Sequence, residues 1–156
     1  MTTQIEQAEA LFAQGQTDQA RQQLTALLAE EPDSSRILND LGVIAFAEQD
    51  IRTAESLFNR AAQADPDNQQ SLRNLVDLHQ SQQNWPQAAA ALLELRNKIG
   101  DCPDLLNELA VMLLEMQNVA GATEALKRSL ELKPDQPEVR TSLEAIGKLP
   151  GPAQAN

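Results

Sequence analysis

The chain has 156 residues and a formal net charge of −11 at pH 7, from 23 acidic and 12 basic side chains, a length that fits one domain able to bury its own core. So negative a balance lacks the clustered cations that nucleic acid or an anionic membrane surface requires. Apolar residues make up 42% of the sequence yet include only three Phe, one Trp and no Tyr, which predicts an aliphatic core. Apolar runs such as Ala88–Leu93 fall far short of the ~20 residues that span a bilayer, and the first residues carry neither a basic n-region nor an apolar h-region. A single cysteine, Cys102, closes no intramolecular disulfide and suits a reducing compartment. A soluble, cytoplasmic protein is expected.

In chain order, amphipathic helical patterns come in pairs, and the pairs recur every 34 residues. Residues 1–34 carry Leu11, Ala20, Leu24 and Pro32. Residues 35–68 read Leu38, Leu41 and Ala45 in a first helix and Ala54, Leu57, Phe58 and Ala61 in a second, followed by Pro66. Both sets have the i, i+3, i+4, i+7 spacing of a buried stripe. Residues 69–102 repeat the pattern with Leu72, Leu75, Ala88 and Leu92, with Gly100 where the proline series breaks. Residues 103–136 carry Leu106, Leu109, Ala122, Leu126 and Pro134. A last helix over 137–149 opens with Pro137-Glu138 and aligns Val139, Leu143 and Ile146; residues 150–156, with Pro150-Gly151-Pro152, are expected to form a flexible tail.

Two series fix the register: Ala20, Ala54, Ala88 and Ala122, and Asp33, Asp67, Asp101 and Asp135. The alanine is expected where two helices cross closely, and the aspartate, after the helix-ending proline, as the N-cap of the next unit. Strand alternation is absent, so the chain is expected to be all-α.

The pattern resembles the tetratricopeptide repeat family, and residues 35–68 match it best with Leu38, Leu41-Gly42, Ala54, Phe58, Ala61 and Pro66. The first unit departs at Gln7-Ala8 and the third at Val76 and Gly100, while the fourth keeps Leu106, Leu109-Ala110, Ala122, Leu126 and Pro134. The resemblance implies a right-handed superhelical solenoid of four helix-turn-helix units plus a C-terminal capping helix, together a single domain over 1–149. It also implies that the first helix of each unit lines a concave groove. Carried over place by place, the groove residues are Arg36, Asn39, Val43, Phe46, Arg73, Asp77, Asn107, Val111 and Leu114, with Thr2, Ile5, Glu9 and Phe12 at the same places in the first unit. Arg and Asn suit the backbone or a carboxylate of a bound segment, and Val, Phe and Leu suit its apolar side chains. Family members that clasp the carboxylate tail of heat-shock chaperones use a Lys and Asn clamp. Here Ile5 and Glu9, Asn39 and Val43, or Arg73 and Asp77 stand in its place.

Catalytic motifs are missing: there is no glycine-rich phosphate loop, HExxH, CxxC or GxSxG, and the single histidine, His79, makes no site alone. His79 is read as a packed imidazole. Cys102 is read as an inert thiol, and Trp85, between Asn84 and Pro86, as packing at a helix start. No enzyme activity, cofactor or metal is expected. The leading reading is an adaptor that binds a peptide segment of an apolar or basic protein partner, with no nucleic acid or membrane as ligand. A second is a homo-oligomeric scaffold stacking through an open N-terminal end that presents Ile5, Ala8, Leu11 and Phe12. A third is the interaction domain of a larger enzyme such as a glycosyltransferase.

Overall fold

A helical period with no competing alternation dictates helices alone, and in the computed structural model the described residues, 2–148, form nine of them. They are α1 (Thr2–Ala13), α2 (Thr17–Glu30), α3 (Ser35–Ala47), α4 (Ile51–Ala64), α5 (Gln69–Ser81), α6 (Trp85–Ile99), α7 (Pro103–Glu115), α8 (Val119–Leu132) and α9 (Pro137–Gly147). The side chain of Thr2, the expected helix end at Leu149 and the expected tail over 150–156 lie outside the described residues. No described helix is long and apolar enough to cross a membrane. Contacts divide the chain into two compact units, one ending at Asn84 and one beginning at Trp85.

In the first unit, α1 pairs with α2 and α3 with α4, while α5 packs on α4 and α3. Its core gathers Ile5, Ala8, Ala20, Leu24, Leu27, Ile37, Leu41 and Ile44. Ala20 and Ala54 are fully buried, as the crossing role requires. Gly42 shows why a Leu-Gly pair stands opposite an aromatic residue: a Cβ there would lie 2.6 Å from Cε1 of Phe58. Only glycine lets α3 approach the ring so closely. Ile5 and Ala8 are core residues, and Leu11 and Phe12 pack half-buried against the same cluster. The expected open apolar end of α1 is therefore largely consumed inside its own unit.

In the second unit, α7 packs on α6 and pairs with α8, and α9 packs on α8. Ala110, Ala122, Ala125, Leu126 and Val139 form a core, with Leu143 and Ile146 half-buried against it. The apolar face expected of the last helix is the face it buries. Gln136 fixes the start of α9 by donating from Nε2 to Ser129 Oγ at 2.9 Å and to the carbonyl oxygen of Lys133 at 2.8 Å.

The turns before α2, α4, α6 and α8 share one geometry. Gly15, Gln49, Gln83 and Gln117, spaced by 34, all take positive φ, at 79°, 65°, 55° and 58°. The next N–H reaches back five residues, as from Asp50 to Ala45 (2.9 Å) and from Asn118 to Leu113 (2.7 Å), which closes the helix end with a left-handed residue. Between pairs, α2, α4 and α8 stop two residues before Pro32, Pro66 and Pro134. Where the proline is missing, Gly100 takes φ 84° and ends α6 instead.

The expected aspartate caps are corrected. The N-cap residues are Ser34, Asn68, Cys102 and Gln136, one position later. Of these, Asn68 caps with its side chain, accepting from the N–H groups of Gln70 and Ser71. The tight turn after the proline, closed at Ser34 by the carbonyl of Glu31 and at Asn68 by that of Asp65, leaves the aspartate one residue before the cap.

Candidate peptide-binding surface

The first unit brings its first helices side by side, α1 against α3 and α3 against α5. On this face Arg36 is exposed and donates from Nε and Nη2 to Oε1 of Glu9, at 3.0 and 2.8 Å, linking α3 to α1. Val43 and Phe46 are half-buried, neither lost in the core nor fully in solvent. Arg73 is half-buried and Asp77 exposed, one turn apart on α5.

Asn39 behaves differently. It is buried, and its Oδ1 accepts from Nδ2 of Asn74 at 2.8 Å and from the Ser71 hydroxyl at 3.4 Å. Gln70 donates in turn to Asn74 Oδ1 at 3.0 Å. This amide lattice holds α3 to α5, so Asn39 supports the face from beneath.

Asp40 belongs to this face as well, although it is not among the groove places that the resemblance implies. Its carboxyl lies between α3 and α1 beside Glu9, and together they line a cavity of about 90 Å³ with Phe12, Val43 and Ile44. Oδ2 of Asp40 is buried and accepts no hydrogen bond from any described residue. Burial first, and the charge of Glu9 second, push its pKa up to about 6 from the ordinary 3.8. The signal in the sequence is an acid inside an apolar helix, between Asn39 and Leu41, both of which are buried.

In the second unit, Asn107 is half-buried and donates from Nδ2 to Oε1 of Gln136 at 2.9 Å, while its own Oδ1 is buried without a described donor. Val111 is 55% exposed and Leu114 packs half-buried on the local core. A wider cleft of about 730 Å³ runs along α6, α7 and α8 over Leu106, Leu109 and Leu113. Ion pairs border it: Arg96 Nε to Asp101 Oδ1 at 2.6 Å, Arg128 Nε to Asp101 Oδ2 at 3.1 Å, and Arg128 Nη1 to Glu131 Oε2 at 2.7 Å. Hydrogen bonds from Arg96 and then Arg128 hold the Asp101 carboxyl below its usual pKa. The aspartate expected as a cap is thus a clasp between helices.

The residues singled out for chemistry have structural surroundings. His79 is buried, with Nε2 3.9 Å from Oε1 of Glu55, and burial lowers its pKa. Cys102 is a half-buried free thiol at the start of α7. Trp85 is half-buried at the start of α6. Among the described residues no three His, Cys, Asp or Glu side chains gather to hold a metal.

Repeated helix pairs with one turn geometry, offering a mixed polar and apolar face, define an interaction module built from repeats. Two signatures described as tetratricopeptide repeat match the sequence, over residues 5–69 and 45–107, and the chain belongs to that family. Solved structures agree in fold. PilF of Pseudomonas aeruginosa superposes with a TM-score of 0.71 at 24% identity, over 93% of this chain and 66% of that one. MamA from Desulfovibrio magneticus RS-1, from residue 41 to its end, gives 0.75 at 12% identity, over 94% and 82%. A tetratricopeptide repeat protein from Parabacteroides merdae gives 0.79 at 20% identity, over 93% and 57%. The chain thus spans just under two thirds of PilF and little more than half of the Parabacteroides protein. No curated protein matches it by sequence.

Proposed function

We propose that this chain is a non-catalytic adaptor that binds a peptide segment of a partner protein on its first-helix faces. In the first unit the contacting residues are Arg36, Val43, Phe46, Arg73 and Asp77 over the support of Asn39; in the second they are Asn107, Val111 and Leu114. The observation that carries this reading is the half-buried pair Val43 and Phe46 on α3, the helix that α1 and α5 flank. Such a surface offers apolar area together with hydrogen-bonding groups that orient a main chain. The net charge of −11 favours a basic or apolar segment over an acidic one and disfavours nucleic acid. The lone cysteine suits the reducing cytoplasm.

Affinity capture from the host lysate tests the reading, with wild type set against Arg73→Glu combined with Val111→Asp. A partner protein held by wild type and lost from the variant, at unchanged helicity and melting, is the expected result. A partner held equally by both would sink the proposal.

One observation favours self-association as a second reading. The large apolar side chains most exposed among the described residues, Leu93, Ile99, Val111, Val119 and Leu132, all belong to the second unit. Sedimentation that stays monomeric at high concentration removes it.

A further inference from the structure

The cavity between α1 and α3 is too small for a cofactor or metabolite. At about 90 Å³ it lies well below the roughly 300–1,000 Å³ of small-molecule sites and suits the end of one side chain. Its chemistry is uneven. Phe12, Val43 and Ile44 supply apolar walls, while Glu9 and Asp40 supply two carboxylates. Arg36 attracts Asp40 through space but gives its Nε–H and Nη2–H to Glu9. Oδ2 of Asp40 is left buried without a described donor, a costly state for a charged acceptor.

Three outcomes are open to such a pocket. A neutral apolar side chain would bury the Asp40 carboxyl further and return no donor. An anion would stand beside two carboxylates. A lysine or arginine lays its methylene stem along apolar walls and brings its charged head to a carboxylate. We infer that this pocket receives a lysine or arginine side chain of a basic partner segment, with Asp40 as its counter-charge and Glu9 beside it. The inference rests on the first-helix face being a peptide surface, and it names the partner class that face selects. The −8 charge of residues 1–68, from twelve acids and four bases, acts in the same sense.

The test uses the full chain, immobilised, and soluble nonapeptide libraries that differ at one fixed position, Lys, Arg, Gln or norleucine, with uncharged residues elsewhere. Wild type is expected to retain the Lys and Arg libraries about tenfold over norleucine, the ratio that one charged hydrogen bond supplies. Asp40→Asn should bring that ratio close to one, and Asp40→Glu should restore part of it. Equal retention of all four libraries by wild type overturns the cation pocket and leaves the peptide surface standing. Retention of none overturns both. A second measurement needs no variant: n-butylammonium, and not n-butanol, should shift the carboxyl ¹³C resonance of Asp40. Equal effects of the two probes would overturn the inference.

Discussion

Between about pH 4 and pH 6 Asp40 binds a proton in the folded chain that it releases in the unfolded one, because its pKa rises from 3.8 to about 6. Stability therefore falls as pH climbs through that window, and below it the penalty is absent. Asp40→Asn removes the charge and keeps the shape. It should unfold later than wild type at pH 7.5 by about 1 kcal/mol, after discounting for the part of the side chain that water still screens. Calorimetry should show the two curves converging near pH 4; a constant gap would assign the gain to something other than titration. Asn39 carries the opposite sign. Asn39→Ala leaves the amide of Asn74 and the hydroxyl of Ser71 without their shared acceptor and should cost about 1–3 kcal/mol in denaturant unfolding.

At the scale of the element, Gln49, Gln83 and Gln117 hold a left-handed backbone that Gly15 holds at the equivalent place. A side chain in that region costs roughly 1–2 kcal/mol, part of which glycine returns as extra freedom of the unfolded chain. Each Gln→Gly change should thus stabilise by up to about 1 kcal/mol, and the three should add, being far apart in sequence and sharing no partners. Thermal melts of the single and triple variants check this, and a triple variant no more stable than wild type would refute it. The helices and their register were legible in the sequence because the alanine and leucine series sit on one stripe every 34 residues. Ala20, Ala54, Ala88 and Ala122 are all fully buried. What was not legible turns on single-residue offsets and on partners from other helices. Asp33, Asp67, Asp101 and Asp135 miss the cap by one residue, since the turn after Pro32, Pro66, Gly100 or Pro134 sets where the helix begins. The groove place of Asn39 points outward in the family pattern, and only the donors of α5, the Asn74 amide and the Ser71 hydroxyl, show that it faces in. Asp40 went unnoticed because the cavity that gives it meaning is made by α1, 31 residues away from it at Glu9.

For the molecule as a whole, charge governs encounter more than affinity. Residues 69–156 carry −3, from eleven acids and eight bases, against −8 for residues 1–68. A basic peptide selected from the libraries above should bind with an association rate that falls roughly tenfold between low salt and about 0.3 M salt, as its steering is screened. Its dissociation rate should change far less. Stopped-flow fluorescence separates the two, and an association rate indifferent to salt would remove long-range charge from the account.

The amide lattice of Asn39, Asn74, Ser71 and Gln70 bears on the thermodynamics of capture. Its hydrogen bonds tie α3 to α5 before any ligand arrives, so this part of the face is preorganised. The ordering entropy of complex formation then falls on the incoming segment rather than on the receptor. A partner already stiff in solution gains most from such a surface, and cyclising or otherwise rigidifying a bound peptide should tighten it without a single new contact.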